Sequence, residues 1–222
     1  MGKSMWDKQN ILIVGASRGL GRAFVAELDK INPNLNIFLA SRKNPNAGQH
    51  QFIKFDASKP DDQQSLLKFI DEVKPQRIYY FSGGGPYGEF KNFEWKDHEW
   101  ALQVNFLAPA KILHHALGQP SEVMQIGFVG SLIAENNAHP MGASYGAAKS
   151  ALLSLISSVV AEKSSKIDIR LFSPDYIDTE LLPKNAFPRR MNLPILPAEV
   201  AAQKMLAWLV EPVATWHYQL RA

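Results

Sequence analysis

The sequence predicts an α/β fold, in which a doubly wound parallel sheet of six to seven strands carries helices on both faces. The first observation is that short apolar runs, rich in Val, Ile, Phe and Tyr, alternate along the chain with stretches of helical periodicity. The second is that these runs are apolar at nearly every position. Strands of that kind are buried on both faces, as in a parallel sheet covered by helices.

Six apolar runs are predicted strands, and a seventh near the end of the chain is a candidate. In chain order they are Asn10–Gly15, Asn36–Ala40, Gln51–Phe55, Arg77–Phe81, Met124–Gly130, Ile167–Phe172 and the candidate His217–Leu220. The predicted helices are Gly21–Ile31, Pro60–Val73, His98–Leu117, Ala143–Lys163 and Pro197–Val210. In the first of these, Ala23, Phe24, Leu28 and Ile31 share one apolar stripe.

The segment 179–197 departs from this rhythm. It holds four prolines and no clear hydrophobic period. A proline-rich insertion late in an α/β chain is expected to form a surface lid rather than a core element. Apart from this lid, residues 1–222 are predicted to form a single domain, because that length suits one hydrophobic core.

Composition excludes several classes of protein. The net charge is 24 − 21 = +3, and the only Arg-Arg pair is Arg189-Arg190, which does not predict a nucleic-acid-binding surface. The chain has no cysteine, and its six histidines form no metal-binding pattern. No signal peptide is recognised, and the longest apolar stretch, Ala151–Ala161, is shorter than the ~20 residues of a membrane span. A soluble, cytoplasmic protein is expected.

A glycine-rich turn follows the first predicted strand. Gly15, Gly19 and Gly21, in "VGASRGLGRAF", lie where the strand turns sharply into a helix. Glycine there lets the backbone approach a pyrophosphate, whose charge is met by the helix N-terminus. The turn therefore indicates a dinucleotide site. The alternative is that glycine serves the geometry of the turn alone.

The spacing Gly-x-x-x-Gly-x-Gly in "GASRGLG" resembles that of the short-chain dehydrogenase/reductase family, in its single-domain branch. Matching motifs run from Gly15 to Thr179. The resemblance implies a Rossmann domain that binds NAD(P) and an NAD(P)-dependent oxidoreductase. The residues it implies for the cofactor site are Gly15, Ser17, Arg18, Gly19, Leu20, Gly21, Ser41, Arg42, Asp56, Ala57, Ser82, Gly83, Gly84, Tyr145, Lys149, Pro174, Ile177 and Thr179.

The end of the second strand favours NADP over NAD. A site that selects NAD carries an acidic residue there for the ribose 2′-hydroxyl, whereas this strand ends "FLASRK". Arg42 is able to pair with a 2′-phosphate, with Arg18 of the glycine turn nearby. In the family, basic residues at both positions accompany NADP. The alternative is that both arginines are solvated loop residues.

The sequence departs from the family pattern at two places. Ser82–Gly85, "SGGG", stands where Asn-Asn-Ala-Gly is usual, and Asp175 stands where glycine is usual. Asp tolerates a positive φ better than most residues, should one be used there. Asp56, by contrast, follows the family pattern, and the resemblance implies that it hydrogen-bonds the adenine amino group. On its own it equally fits a cap for the helix that begins at Pro60.

Four residues are candidates for catalysis. Ser131 ends the fifth strand, Tyr145 follows fourteen residues later, and Lys149 lies one helical turn further on. A free phenol titrates near ~10, and a nearby ammonium and the positive nicotinamide ring are both expected to favour the phenolate and lower that value. The resemblance implies that Tyr145 is the acid/base, that Lys149 tunes it and holds the nicotinamide ribose, and that Ser131 polarises the substrate oxygen. It also implies that Asn105 supports a proton relay.

Each of these residues has a structural alternative. Ser131 is also suited to end a strand, Asn105 to satisfy a backbone group in a helix, and Tyr145 to pack as a half-buried aromatic residue. A second Tyr-x-x-x-Lys match, Tyr87–Lys91, lies in a loop and is interpreted as chance, although it is able to border the substrate pocket. Four tryptophans, Trp95, Trp100, Trp208 and Trp216, are expected in the core or an interface.

These observations lead to one functional hypothesis and one alternative. The hypothesis is an NADP-dependent oxidoreductase that interconverts a carbonyl and a secondary alcohol on a small molecule, with NAD less favoured. The alternative is a non-catalytic NADP-binding sensor or regulatory module. We expect a homodimer through the helices of Asn105 and Tyr145, with a tetramer left open. The substrate is not identified by the sequence, and the lid residues Arg189 and Arg190 are a faint indication of an anionic or acyl-carrier substrate.

Overall fold

The computed structural model describes Trp6 and residues 8–45, 50–118, 122–136, 140–163, 166–212 and 215–222. Its main sheet has seven strands in the order β3-β2-β1-β4-β5-β6-β9, and every neighbouring pair is parallel. They are β1 (Asn10–Val14), β2 (Asn36–Ser41), β3 (Gln51–Lys54), β4 (Arg77–Tyr80), β5 (Gln125–Val129), β6 (Asp168–Pro174) and β9 (His217–Leu220). The predicted doubly wound sheet is confirmed, and the candidate seventh strand is part of it.

Helices cover both faces of this sheet. They are α1 (Gly19–Ile31), α2 (Pro60–Val73), α3 (Trp95–Leu102), α4 (Ala108–Gly118), α5 (Leu132–Asn136), α6 (Ala143–Glu162), α7 (Phe187–Arg190) and α8 (Ala198–Leu209), with a 3₁₀ turn at Phe90–Asn92. In β1, Ile11 and Ile13 belong to the core formed with α1 and α8, whereas Leu12 and Val14 belong to the core on the opposite face. This double burial explains why the strands are apolar at consecutive positions.

The long helix predicted at His98–Leu117 is interrupted in the structure. A π-helical turn, Gln103–Leu107, separates α3 from α4. Pro109 has no N–H and cannot donate to the backbone carbonyls of Val104 and Asn105 one turn earlier, so the helix widens here. The Tyr80 hydroxyl donates to the Val104 carbonyl at 2.7 Å instead. The widened turn carries the side chain of Asn105 into the interior, where it is fully buried.

The proline-rich segment 179–197 contains some regular structure. It includes α7 and the short strand β8 (Leu196–Pro197), which pairs in parallel with β7 (Ile177–Asp178) just before the segment. Ala186 and Pro188 are buried, so the segment is anchored to the domain rather than extended into solvent. The expectation of a segment without a regular period therefore holds only outside α7 and β8.

A polar cluster holds the edge strand β9 and helix α5 against β6. The buried carboxylate of Glu135 accepts hydrogen bonds from Ser173 and, at 3.1 Å, from the side-chain amide of Gln219. His217 lies 3.2 Å from the same carboxylate. Burial acts to raise the pKa of Glu135, but the hydrogen bonds from His217, Ser173 and Gln219 outweigh it and lower the pKa. The cluster thus joins the chain segment after Ser131 to the last strand.

Helix α6 is the one helix, in the part of the chain that the structure describes, whose length and apolar composition match a membrane-spanning segment. Ala148, Leu152 and Ile156 on one side of it are buried against the core of the domain. A long apolar helix that covers a sheet meets the same length and hydropathy criteria as a membrane span.

Candidate functional site

A cavity of about 250 Å³ lies at the carboxyl ends of β1, β4, β5 and β6. The connections from β1 and β4 leave the sheet in opposite directions there, and such a switch point is where open α/β sheets bind ligands. All the residues predicted for cofactor binding line the cavity except Gly84, and Ser131 lines it as well. Asn105 does not line it.

The glycine turn needs glycine for reasons of conformation and of space. Gly15 has φ +91 and Gly19 has φ +54, both in the left-handed region that disfavours side chains. A Cβ on Gly15 would overlap the backbone of Ser82, and one on Gly21 would overlap the carbonyl of Gly15. The turn between β1 and α1 therefore closes tightly onto the segment that follows β4.

The N-terminus of α1 faces this cavity without a capping side chain. Arg18 is the N-cap residue and makes no side-chain cap, and the first turn of α1 contains no acidic residue. The backbone N–H groups and the positive end of the helix dipole are thus left to meet an anion from outside the chain. This arrangement fits the pyrophosphate of a dinucleotide, although the steric needs of the turn alone would also select its glycines.

Two arginines border the cavity at the end of β2. Arg18 and Arg42 are both exposed and line the cavity beside the buried Ser41. The Ser41 hydroxyl donates to the carbonyl of Lys43 at 2.8 Å. Because the strand ends without a carboxylate and two guanidinium groups are close by, this end of the cavity suits an additional phosphate group.

Asp56 follows β3 at the same end of the cavity and does not cap α2. The N-cap residue of α2 is Lys59, whereas the Asp56 carboxylate accepts hydrogen bonds from the backbone and hydroxyl of Ser58 at 3.0 and 2.7 Å. Burial acts to raise the pKa of Asp56, but the two hydrogen bonds from Ser58 and the charge of Arg42 lower it further than burial raises it. The helix-cap alternative is wrong in its literal form, and Asp56 holds a turn that lines the cavity.

Ser131, Tyr145 and Lys149 come together in the cavity. Ser131 is the second residue after the end of β5, and Tyr145 and Lys149 lie in the first turns of α6. The Ser131 hydroxyl is hydrogen-bonded to the Tyr145 phenol. The Lys149 ammonium lies 5.7 Å from the centre of the Tyr145 ring and donates to the carbonyl of Val129 at 2.7 Å. A hydroxyl, a phenol and an amine therefore share one enclosed space.

The acid–base character of this trio differs from the expectation. Burial raises the pKa of Tyr145, although the hydrogen bond from Ser131 opposes the rise. Burial also lowers the pKa of Lys149 to about 7, because its side chain is 4% exposed and has no carboxylate partner. The expected lowering of the phenol pKa by a neighbouring ammonium is therefore wrong for the protein alone. The Lys149 amine donates to the carbonyl of Val129 rather than contacting the phenol oxygen, and burial disfavours the protonated form of the amine.

Asn105 acts on the backbone rather than in the cavity. Its amide nitrogen donates to the carbonyls of Gly84 and Ala101 at 2.5 and 2.6 Å, and its oxygen accepts from the Gly84 N–H at 3.2 Å. The alternative that Asn105 satisfies backbone groups is thus correct for its side chain. A Cβ on Gly83 would lie 3.1 Å from the Asn105 oxygen and 3.8 Å from the Lys149 nitrogen, so Gly83 separates these two residues.

The "SGGG" departure has a steric explanation that the sequence did not reveal. A Cβ on Gly84 would lie 2.5 Å from the ring of Trp100, and Trp100 lines the cavity. Its assignment to the core or an interface is therefore incomplete. A Cβ on Gly85 would lie 3.0 Å from the Cβ of Tyr145. The run of glycines was the sequence signal for close packing here. Which helix residues pack against them is visible only in the three-dimensional structure.

The segment after β6 closes the cavity on the other side. Pro174, Ile177 and Thr179 all line it, and a Cβ on Gly19 would lie 3.3 Å from the side chain of Thr179. Asp175 is not among the residues with positive φ, so its place in a usual glycine position carries no backbone strain. Its carboxylate accepts a hydrogen bond from the Tyr176 N–H at 2.9 Å.

The sequence indicated no role for Pro86, Ile133, Gly142 and Tyr176, which line the far end of the cavity beyond Tyr145. Tyr87 also lines it, as the sequence left open, and so do four residues of the segment expected to form the lid, namely Leu181, Leu182, Pro183 and Pro188. The Tyr87 hydroxyl accepts a hydrogen bond from the backbone of Phe187 at 2.8 Å, which ties this loop to the proline-rich segment. Lys91, by contrast, is 81% exposed and pairs with Glu89. In the second Tyr-x-x-x-Lys match, therefore, the tyrosine lines the cavity and the lysine does not.

No metal-binding cluster occurs among the described residues.

Replacing Lys149 with methionine should stabilise the protein at neutral pH. The folded-state pKa of Lys149 is about 7 against an ordinary value of 10.5, so the unfolded chain binds the proton more tightly. Stability of the wild type therefore rises as the pH increases from about 7 to above 10. We expect Lys149→Met to raise the free energy of unfolding by about 1–3 kcal/mol at pH 7, after loss of the bond to Val129 is subtracted.

Urea denaturation at pH 7 and near pH 10 measures this effect. The gain of the variant over the wild type should shrink as the pH rises. The exposed Lys91→Met serves as the matched control and should show no such dependence. A gain that is the same at both pH values would contradict a burial cost at Lys149.

Comparison with known proteins gives relatives for the whole chain. The family of short chain dehydrogenases matches residues 9–188. The cyclic-di-GMP-binding biofilm dispersal mediator protein of Escherichia coli (strain K12) is 26% identical over 219 residues, covering 94% of this chain and 92% of that protein. The 7beta-hydroxysteroid dehydrogenase of Mediterraneibacter gnavus is 22% identical over 180 residues, covering 73% of this chain and 66% of the dehydrogenase.

Solved structures share the fold at lower identity. A short chain dehydrogenase from Burkholderia cenocepacia in complex with NADP has a TM-score of 0.82 at 17% identity and covers 98% of this chain and 97% of its own. BdcA in complex with NADPH has a TM-score of 0.81 at 22% identity, with 98% and 95% covered. 4-Hydroxyisoleucine dehydrogenase, complexed with NADH, has a TM-score of 0.82 at 18% identity, with 96% and 97% covered. Since the family match extends over most of the sequence, the chain belongs to the short-chain dehydrogenase family of oxidoreductases.

Proposed function

We propose that this protein is an NADPH-dependent oxidoreductase that interconverts a carbonyl and a secondary alcohol. The observation that supports it most directly is the meeting of Ser131, Tyr145 and Lys149 in one cavity, between the glycine turn and an apolar pocket. A hydroxyl and a phenol that share a hydrogen bond are able to hold the oxygen of a carbonyl group. Similar folds occur in complexes with NADP and NADPH, which supports the cofactor.

The chemistry requires a hydride and a proton. When bound, a reduced nicotinamide would supply the hydride that forms the new C–H bond, and the electron pair of the C=O π bond would take up the proton to form the O–H bond. Tyr145 donates the proton to the carbonyl oxygen, and Ser131 donates a hydrogen bond to the same oxygen as negative charge develops. The high pKa of Tyr145 in the protein alone keeps the phenol protonated and ready to donate.

Lys149 and Asn105 have supporting roles in this proposal. The Lys149 amine, with a pKa of about 7, is able to gain or lose a proton near neutral pH and lies close to the phenol that must be reprotonated. Asn105 is a positioning residue, because its side chain holds Gly84 and thereby the segment beneath the cofactor site. Lys149 also lines the cavity, where it is able to hold the nicotinamide ribose.

Preference for NADPH is expected to depend on Arg42 and Arg18. Both arginines line the end of the cavity where β2 ends without a carboxylate. A guanidinium group binds a phosphate with two parallel hydrogen bonds, which an uncharged ribose hydroxyl cannot match. Asp56, in the turn beside Arg42, is positioned by Ser58 to accept a hydrogen bond from an adenine amino group.

Removal of the Tyr145 hydroxyl should abolish turnover but not cofactor binding. We expect Tyr145→Phe to lower kcat for ketone reduction by about 10²–10⁴-fold, the usual contribution of a general acid. NADPH binding, followed by fluorescence, should stay within about twofold of the wild type. Tyr218→Phe removes a hydroxyl away from the cavity and serves as the control. Turnover by Tyr145→Phe at the rate of the wild type would contradict the proposal.

Replacement of Arg42 should weaken NADPH selectively. We expect Arg42→Ala to raise the KM for NADPH by about tenfold or more, since a charge-assisted hydrogen bond contributes about 1.5–3 kcal/mol. The KM for NADH should change little, because NADH lacks the 2′-phosphate. Lys43→Ala, one residue further along the same loop, is the control. Equal losses for both cofactors would argue against a phosphate contact at Arg42.

The second candidate is an NADP-binding regulatory module without turnover. It is favoured by the Escherichia coli relative, which is named for binding cyclic di-GMP and for biofilm dispersal rather than for a reaction. Such a module needs the glycine turn but not the Ser131–Tyr145 hydrogen bond. The two candidates separate in the Tyr145→Phe variant, because a sensor would keep its biological effect while an enzyme would lose it.

We also propose a homodimer through α6 and the helix that contains Asn105, with residues 179–197 as the lid of a single domain. Leu107 is 44% exposed beside that helix, and α6 carries Leu153, Val159 and Val160 outside the fully buried core. These apolar side chains suit a helix-to-helix contact with a second copy. Sedimentation velocity tests this assembly, and a monomer at micromolar concentration would contradict it.

A further inference from the structure

The exposed apolar side chains are not spread evenly over the surface. Among the described residues, seven of the eleven exposed large hydrophobic side chains belong to the segment 181–193, to the segment 90–95 and to Met141, and of these seven Leu181 lines the cavity. We call these seven the apolar rim: Phe90, Trp95, Met141, Leu181, Phe187, Met191 and Leu193. Exposed apolar groups that collect in one place indicate a binding surface, whereas single ones do not.

Hydrogen bonds and ring contacts join the segments of the rim to one another and to the catalytic tyrosine. The Gly88 N–H donates to the carbonyl of Met141, and the Phe187 N–H donates to the Tyr87 hydroxyl, both at 2.8 Å. The Phe90 ring stacks on the buried His98 with ring centres 4.2 Å apart. His98 in turn lies 2.6 Å from the hydroxyl of Ser144, the residue before Tyr145.

The cavity wall between Tyr145 and the rim carries no charged side chain apart from Asp175. It is formed by Pro86, Tyr87, Ile133, Tyr176, Leu182 and Pro183. The Asp175 carboxylate is engaged by the Tyr176 N–H. The other charged residues of the cavity are the buried Lys149 and, at the cofactor end, Arg18, Arg42, Asp56 and Glu180; Glu180 lies next to Gly19.

The lid arginines do not supply a site for an anion. Arg189 pairs with Asp178 at 2.6 Å, and neither Arg189 nor Arg190 lines the cavity. Glu180, whose carboxylate would lie 3.7 Å from a Cβ on Gly19, adds a negative charge to the mouth. The suggestion of an anionic or acyl-carrier substrate therefore loses its basis. A carboxylate or phosphate at the far end would be desolvated without a partner, which is costly.

We propose that the substrate is an uncharged carbonyl compound with a large apolar body, which extends from Tyr145 along this wall, whose one charged group is the Asp175 carboxylate, to Leu181 of the apolar rim. This inference rests on the proposed function and names its substrate class. The carbonyl group meets Ser131 and Tyr145, and the body covers rim side chains that otherwise face water. Discrimination follows from apolar contact, since one methylene group in a hydrophobic pocket changes kcat/KM by about tenfold or more.

The test compares matched ketones in two measurements. Methyl nonyl ketone has an apolar body, methyl ethyl ketone lacks it, and the ω-carboxylate of methyl nonyl ketone has the same chain with a charged end. Affinity is measured by calorimetry on the complex with NADP⁺, in which no ketone can be reduced. Turnover is measured separately as consumption of NADPH. We expect methyl nonyl ketone to bind at least about tenfold more tightly than either analogue.

The outcomes distinguish the inference from the proposed function. Equal affinities, or tighter binding of the carboxylate, overturn the inference even where NADPH is consumed. The expected affinities without consumption of NADPH by any ketone uphold the apolar site and overturn the proposed reaction.

Rim variants provide the second arm. Leu181→Ser should weaken binding of methyl nonyl ketone about tenfold and leave methyl ethyl ketone unchanged. Met124→Ser is the matched control, because Met124 is 54% exposed against 43% for Leu181 but precedes β5, at the amino ends of the strands and away from the cavity. Both side chains are on the surface, so loss of folding is not expected. Rim variants that change the oligomeric state but not ketone affinity overturn the inference in favour of a contact between copies.

Discussion

The close approach of two strand ends is the constraint on which the rest of the site depends. The chain leaves β1 at Gly15 and passes against the backbone after β4 so tightly that no side chain fits between them. This contact directs α1 to one face of the sheet, while the helices that follow β4 cover the other. The crevice opened between them is the cavity, and the uncapped N-terminus of α1 points into it. Cofactor binding and substrate access both follow from that one geometry.

The candidate site buries polar groups that have few hydrogen-bond partners, and this burial lowers the stability of the fold. Lys149 is buried without a carboxylate, and the partly buried Tyr145 has one hydroxyl, that of Ser131, as its hydrogen-bond partner. Both groups are more easily accommodated in their neutral forms, which suits proton transfer near neutral pH but costs stability. The polar cluster around Glu135 has the opposite character, since its carboxylate has several hydrogen-bond donors and holds α5 and β9 in position. The domain thus has few partners for the buried polar groups of the candidate site and several for the buried carboxylate at the edge of the sheet.

Several residues show why sequence reasoning reached some features and not others. The strands were predicted to within about two residues, because burial on both faces leaves a local signature in every run. The π turn at Asn105 depends on the missing N–H of Pro109 and on Tyr80 from a distant strand, and the continuous helix predicted there was wrong. Trp100 was assigned to the core or an interface, since its contact with Gly84 joins segments far apart in the chain. Tyr87 was left open as a border of the substrate pocket, but its hydrogen bond with Phe187 was not foreseen for the same reason.

The sequence by itself determined the fold class, the glycine turn and the candidate catalytic residues, because each of these is recorded in motifs of short-range spacing. Ser131, Tyr145 and Lys149 were named as candidates because their order and separation resemble the pattern of the short-chain dehydrogenase/reductase family. Only the tertiary structure decided their electrostatic state, the unstrained conformation of Asp175 and the composition of the far end of the cavity. Burial and close packing are properties of many segments at once, so the pKa of a lysine or the lining of a pocket is not written in any one of them.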